Sequence, residues 1–245
     1  MQATTSGAYN VAVGRLSLSA NTTGGYNVAL GYNTLAANTT ASNNTGVGNN
    51  ALSYCTTGAN NTAVGSDAIK LSTTGSSNTA VGKNALAANT TASENTAIGY
   101  NSLDANTTGA RNTSVGNATL SASTTANDNV AVGNASMNLN TSGIQNTAVG
   151  SYSLDAATTA GNNTAIGYAA LSETTTGTRN TALGSLAADA NTTGDDNVAV
   201  GYAALSANTE GDDNTAVGRS ALLANTTGIQ HTAVGNYALD ENTTG

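Results

Sequence analysis

A glycine returns with a strict 17-residue period along this chain, at Gly14, Gly31, Gly48, Gly65, Gly82, Gly99, Gly116, Gly133, Gly150, Gly167, Gly184, Gly201, Gly218 and Gly235. Thirteen successive steps of one length, with no insertion or deletion, leave few architectures open. Helical arrays and propellers tolerate loop insertions, whereas a stacked solenoid rung must keep its circumference. With residues 8–24 (AYNVAVGRLSLSANTTG) as the first repeat, residues 229–245 (IQHTAVGNYALDENTTG) are the fourteenth, and residues 1–7 are the tail of a preceding one. Residues 8–245 are thus expected to form a single elongated domain of fourteen rungs.

Repeat positions are numbered 1 to 17 from residue 8, so the glycine is position 7. Positions 4 and 6 carry Thr or Val, then Val, Ile or Leu, as in Val11 with Val13 and Thr62 with Val64. This period-two alternation predicts a short strand. An invariant glycine directly after it implies a positive φ or a corner too tight for a Cβ. Position 10 is always small, and position 11 is Leu or a stand-in such as Ile69, Met137 or Ala188. That pair fits a second strand or one helical turn, and the strand is favoured because an isolated turn is hard to stabilise. The repeat closes on Asn-Thr-Thr-Gly or a near variant, a turn signature. The fold class expected is all-β, a parallel β-solenoid (β-roll), about 65 Å long if fourteen rungs stack at ~4.8 Å.

Composition narrows what such a chain can do. Charged residues make up 8% and aromatic residues 4%, while Pro, Trp and Phe are absent. Each rung then offers roughly two large aliphatic side chains, worth ~3–6 kcal/mol if buried, against ~17–34 kcal/mol of backbone ordering. So lean a core predicts burial against other chains, and the small residue at position 10 suits close approach of a second backbone, though a narrow monomeric coil would demand it too. A net charge of −8, with six basic residues spread along the chain, argues against nucleic acid as a partner. No apolar run reaches the ~18 residues of a membrane helix, so no membrane insertion is expected, and MQATTSGAYN lacks the basic and apolar regions of an export signal.

The segments NTAVGSDAI (Asn61 to Ile69) and NTAVGRSAL (Asn214 to Leu222) resemble the head repeats of trimeric autotransporter adhesins, which use an SVAIG-like core. With its NTTG ending, the whole repeat is still more similar to repeat arrays of phage and viral tail-fibre proteins, over residues 8–245. The resemblance implies a left-handed β-roll, three chains side by side and a role in host or surface attachment. The autotransporter repeat is shorter, so it does not fix the path of the NTTG part.

Candidate chemistry is sparse. Cys55 and His231, the only cysteine and histidine, lie eleven repeats apart, ~50 Å along a straight solenoid, which excludes a nucleophile–base pair. His231 stands where other repeats carry Asn and reads as a polar substitution. Asp195, Asp196, Glu210, Asp212 and Asp213 recur at one turn, and calcium takes such ligands, but the Gly-Gly-x-Gly-x-Asp nonapeptide is missing, so a solvated turn is favoured. Asn at position 3, as in Asn10, Asn27 and Asn44, predicts a rung-to-rung hydrogen-bond ladder that sets register. Tyr32, Tyr100, Tyr168 and Tyr202 each follow the glycine and form a candidate surface-contact column for glycan or protein. Thr-Thr pairs such as Thr22-Thr23 raise ice binding, weakly, because adjacent strand residues face opposite ways.

The expectation is therefore no enzyme, no cofactor and no metal, but a homotrimeric structural or adhesive fibre segment, extracellular or on a virion surface. Lack of an export signal in this stretch favours a phage tail fibre over a secreted adhesin, and an ice-binding solenoid is the alternative from another class.

Overall fold

The computed structural model describes residues 5–245, which fall into two compact units, Met1–Ala126 and Asn127–Gly245. Both are parallel β-solenoids, and no helix occurs among the described residues. In the N-terminal unit each repeat contributes one three-residue strand: β1 (Val11–Val13), β2 (Val28–Leu30), β3 (Thr45–Val47), β4 (Thr62–Val64), β5 (Thr79–Val81), β6 (Thr96–Ile98) and β7 (Thr113–Val115). Neighbours pair in parallel with one repeat as the register, so Val11 lies beside Val28, Thr45 beside Thr62 and Ile98 beside Val115. The C-terminal unit repeats this with β8 (Val130–Val132), β9 (Thr147–Val149), β10 (Thr164–Ile166), β11 (Thr181–Leu183), β12 (Val198–Val200), β13 (Thr215–Val217) and β14 (Thr232–Val234). Of the expected tail 1–7, residues 5–7 stack in register, with the Thr5 amide donating to the Thr22 carbonyl at 2.9 Å, and residues 1–4 lie outside the described residues.

The glycine meets both halves of its expectation. Gly65 has φ 140°, and a Cβ there would strike the carbonyl of Gly82 on the next rung. L-residues avoid that φ, and the stack leaves no room for the extra atom.

The segment from position 8 to position 13 is neither the favoured second strand nor a helical turn. It is a run of tight turns, closed by bonds such as the Ser17 amide to the Gly14 carbonyl and the Asn21 amide to the Leu18 carbonyl, both 3.4 Å. Three non-glycine residues per rung, at positions 2, 9 and 11, are left-handed, for example Tyr26 (φ 59°), Asn33 (φ 57°) and Leu35 (φ 51°). Each left-handed residue costs roughly 1–2 kcal/mol. Each also turns its amide along the stack: Tyr26 donates to Ala8, Asn33 to Arg15 and Leu35 to Ala51, at 2.9–3.0 Å. The strain is offset because a backbone donor that the interior would otherwise orphan finds a neighbouring rung.

The interior differs most from the sequence expectation. The sequence offers two large aliphatic side chains per rung for burial, at positions 6 and 11. Instead the middle residue of the strand faces inward, and it is small: Ala29, Gly46, Ala63, Ala80 and Ala97 are buried, while positions 4 and 6 point outward. Among the described residues only position 11 holds large apolar side chains that are fully enclosed, in rungs from Leu18 to Leu222 except that of Ala188. A 17-residue loop encloses too little volume for a second large residue. The remaining space is filled by asparagine.

Two asparagine columns run through the interior. At position 3, Asn61 Oδ1 accepts from the Asn78 amide at 2.9 Å, while Asn61 Nδ2 donates across its own rung to the Gly75 carbonyl at 2.9 Å. At position 14, inside the NTTG signature, Asn38 Nδ2 donates to the Ala41 carbonyl at 3.1 Å and to Asn21 Oδ1 of the rung before at 2.9 Å. The first column is the ladder expected from sequence. The second was hidden in what reads as a surface turn.

Candidate functional site

The outward face of the strands is the largest regular feature that the interior does not explain. In the N-terminal unit Thr45, Thr62, Thr79, Thr96 and Thr113 form one column, with Val47, Val64, Val81, Ile98 and Val115 two residues on in the other. The C-terminal unit repeats the pattern, with Thr147, Thr164 and Thr181 beside Val149, Ile166 and Leu183. Threonines here are half-buried; the aliphatic side chains are 37% exposed at Val64, Val81 and Leu183 and 41% at Ile166. A single exposed Val is ordinary, but a column of them on consecutive rungs is a contiguous apolar strip. The in-register parallel pairing sets identical side chains side by side.

Next to this strip, after the glycine, stand the tyrosines predicted as a contact column, and all four are exposed: Tyr32 and Tyr100 in the N-terminal unit, Tyr168 and Tyr202 in the C-terminal unit. They have companions that sequence reading missed. The Arg15 guanidinium lies 5.8 Å from the Tyr32 ring centre. Tyr152, at position 9, meets Tyr168 edge-on at 6.0 Å. Arg219 lies 5.9 Å from Tyr202 and 5.6 Å from Tyr237, so Tyr202, Arg219 and Tyr237 follow one another over three rungs. Positions 8 and 9 of neighbouring rungs therefore share one surface, and the left-handed conformation at position 9, φ 59° at Tyr152, belongs to that geometry. A second aromatic pair, Tyr9 and Tyr26, stacks at 5.0 Å at position 2.

Three of the acidic residues predicted at the turn, Asp195, Asp196 and Asp212, bond to the neighbouring rung. Asp195 Oδ1 accepts from the Thr178 amide at 2.6 Å and from its hydroxyl at 3.0 Å, and Asp212 Oδ1 accepts from the Asp195 amide at 2.7 Å. Serine does the same elsewhere, as when Ser42 Oγ accepts from the Gly25 amide at 3.0 Å. Asp196 accepts two bonds from Arg179, at 2.6 and 2.7 Å, which hold its carboxyl below the usual range. Among the described residues no three His, Cys, Asp or Glu side chains are grouped to hold a metal ion.

Cys55 and His231 belong to different units, and each occupies an asparagine slot. Cys55 replaces Asn at position 14, donates to the Gly58 carbonyl at 3.2 Å and is buried, which pushes its thiol up to about 11. That is a protonated hydrogen-bond donor, far from a thiolate nucleophile. His231 replaces Asn at position 3, and its amide donates to Asn214 Oδ1 at 3.0 Å like any other member of that column.

The threonines of the NTTG turn divide. The first carries a ladder, with Thr22 Oγ1 donating to the Thr39 carbonyl at 2.9 Å and Thr107 Oγ1 to Thr124 at 2.9 Å. The second, as at Thr23 and Thr108, is exposed. Comparison of the chain with family models, curated proteins and solved structures returned no match.

Proposed function

We propose that the chain is a structural, self-associating fibre segment, with three copies packed through the outward strand face and with attachment to a host or other surface as its task. The observation that carries this reading is the apolar strip of Val, Ile and Leu, repeated without interruption within each unit. Covering it with a second and third copy buries aliphatic surface at about 25 cal/mol per Å², and supplies the stabilisation that a core of one Leu per rung leaves wanting. Small, flat and repetitive side chains suit a partner that is itself a stack with the same register. A phage tail fibre is the favoured setting and a secreted adhesin of the autotransporter type the runner-up; both use a stiff, repetitive segment in the same way. The exposed tyrosines and their arginine neighbours supply rings able to stack on a glycan or on a protein receptor.

Mass in solution tests the assembly directly. At micromolar concentration a particle of three times the chain mass of 23.9 kDa is expected, and a persistent monomer would remove the trimer. Replacing Val81 and Val149 by Lys should return the assembly to monomer while the far-ultraviolet dichroism stays that of a β-solenoid. Replacing Tyr32, Tyr100, Tyr168 and Tyr202 by Ala is expected to abolish glycan or cell binding, and binding left intact would remove these residues from the contact surface.

One observation favours a second reading, ice binding. Thr and Val two residues apart, repeated in register along a parallel sheet, present hydroxyls and methyls at a regular spacing, which the Thr-Thr pairs of the turn do not. The two readings compete for the same face. A monomer that shows thermal hysteresis, lost on replacing Thr79 and Thr96 by Lys, would decide for ice, and absence of hysteresis and of crystal shaping would dismiss it.

A further inference from the structure

Asn-Thr-Thr is more than a turn signature, because Asn-x-Ser/Thr is the acceptor sequence for N-linked glycosylation, and acceptor asparagines ordinarily sit on exposed loops. Here they do not. Asn21, Asn38, Asn89, Asn106, Asn140, Asn191 and Asn225 each begin an Asn-Thr-Thr or Asn-Thr-Ser triplet, and each is 0% exposed. The atom that would receive the sugar is the one the fold uses. Asn106 Nδ2 donates to the Gly109 carbonyl at 2.9 Å and to Asn89 Oδ1 at 3.3 Å; Asn225 Nδ2 donates to the Gly228 carbonyl at 3.1 Å and to Asn208 Oδ1 at 2.9 Å. An amide nitrogen has two hydrogens, and both are committed. Glycosylation replaces one hydrogen by a bond to the sugar, so one ladder bond is lost outright. The sugar would then have to occupy space that the neighbouring rungs already fill.

We propose that folding and N-linked glycosylation are mutually exclusive at these asparagines, so that the chain is made and folded in a compartment without an asparagine-linked oligosaccharyl transferase. Transfer takes place on the extended chain as it enters a secretory compartment, before rungs have stacked. Since the ladder bonds form only when neighbouring rungs have stacked, the triplets meet the enzyme unprotected. Another set of triplets in the same chain serves as an internal control. Asn43, Asn60 and Asn162 begin Asn-Asn-Thr, lie at position 2 and are exposed, so a glycan there leaves the stack intact. This inference is independent of the fibre reading, because it rests on the interior alone.

The test is expression of the full chain behind a secretion signal in a eukaryotic cell, beside a variant with Ala as the third residue of every buried triplet, as in Thr40→Ala, Thr108→Ala and Thr227→Ala. These changes keep each ladder asparagine, and Glu210 already fills that place after Asn208 while Asn208 Nδ2 still reaches the Gly211 carbonyl at 2.9 Å. The parent is expected to carry glycans on the buried asparagines and to be retained or secreted without β-solenoid dichroism. The variant should be secreted folded, several-fold more abundant, with glycans confined to exposed sites, and blocking glycan synthesis should rescue the parent. A parent secreted with native dichroism, whether its ladder asparagines are modified or bare, would overturn the proposal. So would a parent that fails equally when glycan synthesis is blocked.

Discussion

The inside and the outside of this solenoid exchange the roles they have in most proteins. A rung such as residues 25–41 encloses two polar asparagines, Asn27 and Asn38, with small residues and Leu35, whereas the outward face of the strand carries Val, Ile or Leu. The interior is specified by hydrogen bonds that only identical neighbours can complete, so Asn61 serves Asn78 as Asn44 serves Asn61. The exterior is specified by nothing but shape and apolarity. A chain organised in this way sets its register internally and leaves its apolar surface for something else to cover.

The largest expected effect lies inside. Asn61→Ala leaves the Gly75 carbonyl and the Asn78 amide buried without that partner, and about 3 kcal/mol of stability should be lost in chemical denaturation. A loss below about 1 kcal/mol would mean that the ladder adds little beyond the backbone stack.

Half-buried carboxylates give a pH test. Asp104, Asp155 and Asp189, at position 12, each keep one oxygen inaccessible and without a protein partner, and desolvation by burial raises all three from the ordinary Asp value. A raised carboxyl takes up its proton more readily in the folded chain than in the unfolded one. Its destabilising contribution is therefore full above the folded pKa and is relieved as pH falls through that value towards the ordinary one. The melting temperature should rise on mild acidification, and the triple change to Asn should remove most of that rise.

Strain offers a smaller effect of opposite sign. Ala169 is left-handed at φ 51°, and Ala169→Gly should stabilise by about 0.5 kcal/mol, since the relief of strain exceeds the added chain entropy. Thermal melts would detect it, and a loss would show that the left-handed position is not strained.

The smallest effect on the chain's own stability is expected outside. Val81→Thr should change the unfolding of the isolated chain by no more than about 0.5 kcal/mol, while weakening self-association measured by sedimentation. If the isolated chain is destabilised as strongly as by Asn61→Ala, the inside and outside of the rung do not differ as described.

Much of this fold is legible in the residues. The period gives the rungs, the Thr-Ala-Val segments give the strands, the invariant glycine gives the corner, and Asn at position 3 gives the first ladder. What stayed hidden has physical causes. Alternation along a strand separates two faces without saying which is inner, and only the structure places Ala63 inside and Val64 outside. Asn at position 14 lies within a motif that satisfies every rule for a surface turn, and only stacking shows its side chain pointing inward. Tyr152 and Tyr237 join the neighbours of Tyr168 and Tyr202 because adjacent rungs bring positions 8 and 9 together, a proximity absent from the sequence order.

By itself, then, the sequence determined the repeat length, the parallel register and the need for a narrow, repetitive stack, because a 17-residue circumference without insertion admits little else. The tertiary structure decided which side chains are inside. A loop that small has room for one Leu and the Asn pair, and the remaining aliphatic residue of each rung is placed on the surface by volume, in spite of its hydrophobicity.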